Sequence, residues 1–194
     1  MTKSNGSKER ISSIIEIAFP DFTKLPERVK VKFDSLPTKV NFFRMLGHSP
    51  GAYVEIIDLT NAIFKNLTIS DLHKELLVLQ VAAHEGCDYE WEQHISIAQA
   101  AGVTEDQFIA IAENRIDDGE VFGKREQALL NFGKSILEQG KVTGVVFKHT
   151  LEHFSIVELS DAMIVVGYYK MISVFVQTLN IPIDPQEDGN WIKR

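Results

Sequence analysis

The chain has 194 residues, 44% of them hydrophobic, enough for one domain with a substantial core. A formal net charge of −7, a pI near 5.4 and the absence of any block of Lys or Arg exclude the basic face of a nucleic-acid or anionic-membrane binder. The single cysteine, Cys87, excludes an intrachain disulfide or an intrachain Cys-x-x-Cys redox cycle and fits a reducing, cytoplasmic setting.

Residues 1–10 are polar, lack the apolar core of a secretory signal and read as a flexible tail. The apolar run at 11–19 is too short to span a bilayer and is ended by Pro20, so it reads as a short helix packed on the domain or on a neighbour. Residues 11–181 form a single predicted helical domain. Between Pro26 and Pro37 the alternation VKVKFDSL suggests an extended piece, with a helical start as the alternative. From Thr38 the pattern turns helical, with Val40, Phe42, Phe43 and Leu46 on one face up to Gly47. Ser49-Pro50 then offers a cap and first turn for the next helix, and residues 53–64 read as its amphipathic part, with Tyr53, Ile56, Ile57, Ile63 and Phe64 available for the core.

The most informative stretch runs from Ser70 to Gly102. A helix from Asp71 to about His84, advanced by about 100° per residue, places Glu75 among Leu72, Val78, Leu79 and Ala82 on its apolar face. Gly86 interrupts the pattern. A second helix then carries Cys87, Glu90, His94, Ile97 and Ala101 on one face, while Asp88, Glu92, Ser96 and Gln99 point away. Stacked as a hairpin, the two helices bring Glu75 toward Glu90 and His94. Carboxylates and an imidazole clustered in an apolar wall push each other's pKa values apart, as acids and bases that work near neutral pH require; the bland alternative is a structural network joining two helices.

Further on, Thr104 and Gln107 make a capping box for a short helix to Ala112, and residues 124–138 form an amphipathic helix closed by Gly140. Thr143 starts a helix to about Phe154. Ser155 and Glu158 make a second capping box, opening a helix over residues 156–179 that is apolar nearly all round. Glu158, Asp161 and Lys170 make it a poor membrane span, so its covering is expected from a bundle or a subunit interface, with Gly167 allowing two backbones to approach. Residues 182–194, with Trp191 near the end, read as a tail that wraps onto a partner subunit. His84 and His94 lie on different helices, which argues against a shared metal. The sequence contains no phosphate-cradling glycine loop and no nucleophile elbow, so neither metal nor cofactor is expected.

The order Glu75, Cys87, Glu90, His94, followed by an Ala-Gly helix end and a Val-Thr-Glu-Asp helix start, resembles the carboxymuconolactone decarboxylase and alkylhydroperoxidase D-like superfamily. The peroxidase branch carries Glu, Cys-x-x-Cys and His at these spacings; Cys87 matches its first cysteine, and Glu90 stands where the second would be. The decarboxylase branch has a Glu and a His four residues apart, which Glu90 and His94 match. The segment YEWEQH, containing Tyr89, resembles longer members of the group. The resemblance implies an all-α, oligomeric bundle and places the segment FFRMLGHSP near the site. Arg44 and His48 thereby become candidate anion binders and Tyr89 a candidate substrate-binding residue, although an arginine such as Arg44 more often makes a surface or interhelix ion pair.

These readings predict a homo-oligomer (dimer, trimer or hexamer) acting on a small molecule, with no nucleic-acid or membrane partner. The favoured enzyme uses Glu90 and His94 as acid and base, with Glu75 orienting or protonating His94, on a small carboxylated or lactone substrate. The alternatives are a thiol peroxidase using Cys87 with an external resolving thiol, and a non-catalytic protein that binds a small molecule.

Overall fold

The computed structural model describes residues 16–185, and among these the regular structure is entirely helical. The helices are α1 (Glu27–Asp34), α2 (Asn41–Met45), α3 (Tyr53–Lys65), α4 (Asp71–Glu85), α5 (Asp88–Ala101), α6 (Glu105–Ala112), α7 (Lys124–Gln139), α8 (Gly144–Thr150) and α9 (Ile156–Thr178). Short 3₁₀ turns occupy Phe22–Lys24 and Leu46–His48.

The bundle is built around α4. Every residue from 73 to 82 is buried, because α5, α6, α7 and α9 surround the helix. Ser70 caps its start by accepting a hydrogen bond from the His73 amide, and Gly86, at φ 62°, ends it in the left-handed conformation that favours glycine. Cys87 N–H then donates to Ala82 O at 2.9 Å, which folds α5 back along α4. On the opposite side, a β-carbon at Gly133 of α7 would lie 2.9 Å from Leu77 and closer still to Gln80, so the α4–α7 approach requires glycine there.

The capping boxes at Thr104/Gln107 and Ser155/Glu158 form as expected and start α6 and α9. The inner face of α9 supplies Leu159, Val165, Val166, Tyr169 and Ile172 to the core. Its outer face carries Ile156, Val157, Met163, Ile164, Met171 and Val174, each between 41% and 57% exposed. By length and composition α9 is the one helix among the described residues apolar enough to cross a membrane, yet 56% of its apolar window is buried within the fold.

Several expectations are corrected. Residues 27–34 are helical rather than extended, because Val29 and Phe33 face inward four residues apart, and Phe33 stacks on Phe22 with ring centroids 3.9 Å apart. Ser49-Pro50 lies in a turn closed by the Ala52 N–H on Ser49 O, and α3 starts at Tyr53. Residues 16–20 are not helical, so the helix expected over 11–19 does not reach them. The α8 helix ends at Thr150, and residues 151–154 form turns. Within the chain Gly167 faces open space. Of the tail expected over residues 182–194, Pro182 and Asp184 bond to α2 and α5 of the same chain; Trp191, the N-terminal tail and the rest of the run at 11–19 lie outside the described residues.

Candidate functional site

Glu75 of α4 and His94 of α5 meet where the two helices pack. His94 Nδ1 lies 2.8 Å from Glu75 Oε2, with Glu75 completely buried and His94 only 5% exposed. Glu75 occupies Nδ1, so Nε2 is the ring nitrogen left for other partners. That nitrogen makes no hydrogen bond among the described residues, and His94 borders a cavity. The imidazole is held on two sides: parallel to Phe64 at a centroid distance of 6.2 Å, and edge-on to Tyr169 at 5.0 Å. Glu75 Oε1 has no hydrogen-bond partner.

Glu90, one turn before His94, is 2% exposed. Its Oε2 accepts a hydrogen bond from Ser173 of α9, and its Oε1 has no partner. Burial raises its pKa to about 8, against the lowering effect of its hydrogen bonds with Ser173 and Cys87. At neutral pH Glu90 is therefore mostly a neutral carboxylic acid able to give a proton. Cys87, at the N-cap of α5, is 1% exposed, and burial pushes its thiol upward. The neighbouring Glu90 N–H opposes that shift, while the Glu90 charge adds to it.

The cavity, of about 60 Å³, opens between α2, α3, α5 and α9. Phe42, Phe43, Phe64 and Ile172 give it an apolar wall, and Glu90, Gln93 and His94 bring polar groups to it. Thr60 and Tyr168, hydrogen-bonded to each other, close another side; Tyr168 is raised to about 12, mainly by burial. Among the described residues no Lys or Arg lines the cavity.

Of the expected site residues, the structure brings Glu75, Glu90 and His94 together, with Tyr89 and Cys87 beside them. Tyr89 lines the cavity, donates its hydroxyl to Asp184 Oδ2 at 2.6 Å and accepts from the Phe42 N–H at 3.1 Å. Cys87 is buried and does not line the cavity. Arg44 and His48 are elsewhere: the Arg44 guanidinium sits 4.0 Å from the Phe19 ring centroid, and His48 Nε2 lies 2.9 Å from Ala18 O. Both hold the segment before α1 instead of reaching the cavity, because α2 is too short for its pattern to fix where its last side chains point. His84 is exposed and His94 buried, so they form no joint metal site. Inward positions on α5 follow 87, 90, 94 and 98, with Ala98 fully buried where Ile97 was expected. Ser173 and Asp184 escaped the sequence reading. A lone serine on the inward face of an apolar helix is the signal that could have found Ser173; nothing local marks Asp184.

Residues 50–134, which include Glu75 to His94, match the carboxymuconolactone decarboxylase family. No curated protein matches the sequence. An uncharacterized peroxidase-related protein from Ralstonia eutropha JMP134 with an alkylhydroperoxidase AhpD core superposes with a TM-score of 0.74 at 18% identity, covering 88% of this chain and 93% of its own. A peroxidase-related protein from Silicibacter sp. TM1040 gives 0.72 at 13% identity, covering 96% and 100%. The debrominase Bmp8, in a complex with 2,3,4-tribromopyrrole, gives 0.68 at 15% identity, covering 87% and 91%. At these identities the structural likeness concerns the fold.

Proposed function

We propose, for a chain whose family match and fold place it in the carboxymuconolactone decarboxylase and AhpD-like superfamily, an enzyme that moves protons on a small substrate, decarboxylating a carboxylated or lactone compound. The observation that carries this reading is the buried Glu75–His94 pair, whose imidazole borders a cavity that Glu90 also lines. An apolar wall without a cation leaves a substrate carboxylate poorly solvated, and loss of CO₂ disperses that charge. The bond between carbon and carboxylate breaks, the electron pair stays on carbon as an enolate or carbanion, and Glu90 gives that carbon its proton. Water restores the proton through His94, so the balance is substrate plus one proton to product plus CO₂. Glu75 holds His94 in the ring orientation and tautomer this needs.

A thiol peroxidase is the second reading, favoured by the peroxidase-related structural neighbours. In it Cys87 sulfur attacks a peroxide oxygen, an alcohol leaves, and an external thiol reduces the sulfenic acid. The burial and raised pKa of Cys87 weigh against it. The complex of Bmp8 with 2,3,4-tribromopyrrole supports a compact substrate in either case. The exposed apolar stripe of α9 supports self-association.

The test is a thermal-shift and crystal-soaking screen of small keto acids, lactones and hydroperoxides, followed by CO₂ release from any acid that binds. A ligand seated against His94 whose turnover disappears in His94→Asn supports the proposal. Binding without turnover assigns the non-catalytic role instead.

A further inference from the structure

Away from the cavity, the end of α8 gathers three potential metal ligands in the order His-x-x-Glu-His. Helical winding continues past Thr150: Leu151 N–H donates to Phe147 O at 3.0 Å, Glu152 N–H to His149 O at 3.1 Å, and Phe154 N–H to Thr150 O at 3.0 Å. This places His149, Glu152 and His153 on one outward face, as positions i, i+3 and i+4. The turn is anchored beneath them. Thr150 is completely buried and donates to Val146 O at 2.8 Å, and Phe154, 3% exposed, packs edge-on against His73.

One ligand atom from each of the three side chains lies within 4.8 Å of the other two. His149 Nδ1 is 3.4 Å from Glu152 Oε2, and the two imidazoles are perpendicular with centroids 5.5 Å apart. His149 and Glu152 are 60% and 64% exposed in their side chains, so these two can rotate to close around an ion, with His153 half-buried beside them.

We propose that His149, Glu152 and His153 bind one divalent late-transition-metal ion of the zinc class. Two imidazoles and a carboxylate are a donor set that zinc accepts with a water in the remaining position. Hard cations such as Mg²⁺ are disfavoured by the two nitrogen donors. The ion joins the end of α8 to the turn that leads into α9. It has no part in the chemistry at His94, since none of its three ligands lines the cavity there.

The test is calorimetric titration of the metal-free, full-length protein with ZnCl₂, compared across His149→Ala/His153→Ala, Glu152→Gln and His84→Ala. One zinc per chain is expected for the wild type and for His84→Ala. Removing a ligand should weaken binding by at least the roughly 10- to 100-fold that accompanies loss of a group that merely supports a ligand. Co²⁺ in place of Zn²⁺ should give visible bands of a four-coordinate site that disappear in the double variant. His149 and Glu152 are exposed and His153 is half-buried, so circular dichroism should show every variant folded. Absence of zinc binding to the wild type, an unchanged affinity in the double variant, or loss of the site in His84→Ala would each overturn the proposal.

Discussion

His94 Nδ1 lies 2.8 Å from Glu75 Oε2, a contact between residues 19 apart in sequence and both buried, made by folding α5 back along α4 at Gly86. The bond selects a tautomer as well as a position. In Glu75→Gln an amide replaces the carboxylate and can present its NH₂ to Nδ1, which moves the imidazole proton toward Nε2 and removes the base from the cavity. We expect a fall in kcat on the order of 10² to 10⁴ with little change in KM, and the same range for His94→Asn. Steady-state kinetics on the substrate found by the screen checks this, with circular dichroism as the control for folding.

Glu90 gives the protein a pH dependence whose sign follows from its shift. Its ordinary value is 4.5 and burial raises it to about 8 in the folded chain, so between those values the folded state binds more protons than the unfolded one. The stability associated with neutral Glu90 is fully present below pH 4.5 and is lost as pH rises through about 8. At about 1.4 kcal/mol per unit the loss amounts to a few kcal/mol. Glu90→Gln should flatten the decline, most visibly in urea melts compared at pH 5 and pH 9. If Glu90 is the acid, the same substitution should also remove the alkaline limb of the rate profile; a stability profile unchanged by Glu90→Gln contradicts the assignment.

The central hairpin was legible because its signals are local. Ser70 and Gly86 bracket α4, and Glu75 and His94 sit at positions whose helical period points inward. Long-range contacts leave no such trace: Ser173 meets Glu90 across 83 residues, and Asp184 meets Tyr89 across 95. Short segments failed for a related reason. Six alternating residues at VKVKFD fit a strand or two helical turns equally, and the inward packing of Val29 and Phe33 decides between them. The His149, Glu152, His153 group lies at helical spacing in the sequence as well, but spacing alone does not show that the three side chains converge within 4.8 Å.

Asp184 is expected to secure one wall of the cavity. Its Oδ1 accepts from the Asn41 N–H at 2.8 Å, its Oδ2 accepts from Tyr89, and Asn41 Nδ2 donates to Pro182 O at 3.1 Å. Asp184→Ala should cost about 1 kcal/mol, because the site is partly open to solvent. It should also speed hydrogen exchange at the Asn41 amide far more than at amides of α4. Equal exchange in both proteins would mean that the contact does not hold the wall.

The outer stripe of α9 predicts self-association. Ile164 and Val174, 45% and 57% exposed, lie on a face where Gly167 leaves room for another backbone. Replacing both by Asp places two charges in any interface made there while leaving the inner face of α9 intact. Light scattering should show an oligomer for the wild type and a smaller species for the variant. A monomeric wild type at micromolar concentration would remove this proposal.

The final prediction separates proton transfer from thiol chemistry, and it rests on where Cys87 lies. The thiol is 1% exposed, does not line the cavity and is pushed upward by burial, so iodoacetamide should alkylate the native protein more slowly than the unfolded chain at the same pH. Cys87→Ser should then retain most of the activity on the true substrate, whereas Glu90→Gln should lose on the order of 10² to 10⁴ in rate. Thiol chemistry requires the opposite order: Cys87→Ser would abolish peroxide reduction outright, since the chain has no second cysteine, and Glu90→Gln would leave the thiol in place with residual turnover. Alkylation at least as fast as that of a free thiol, together with loss of activity in Cys87→Ser, would transfer the chemistry from His94 and Glu90 to Cys87.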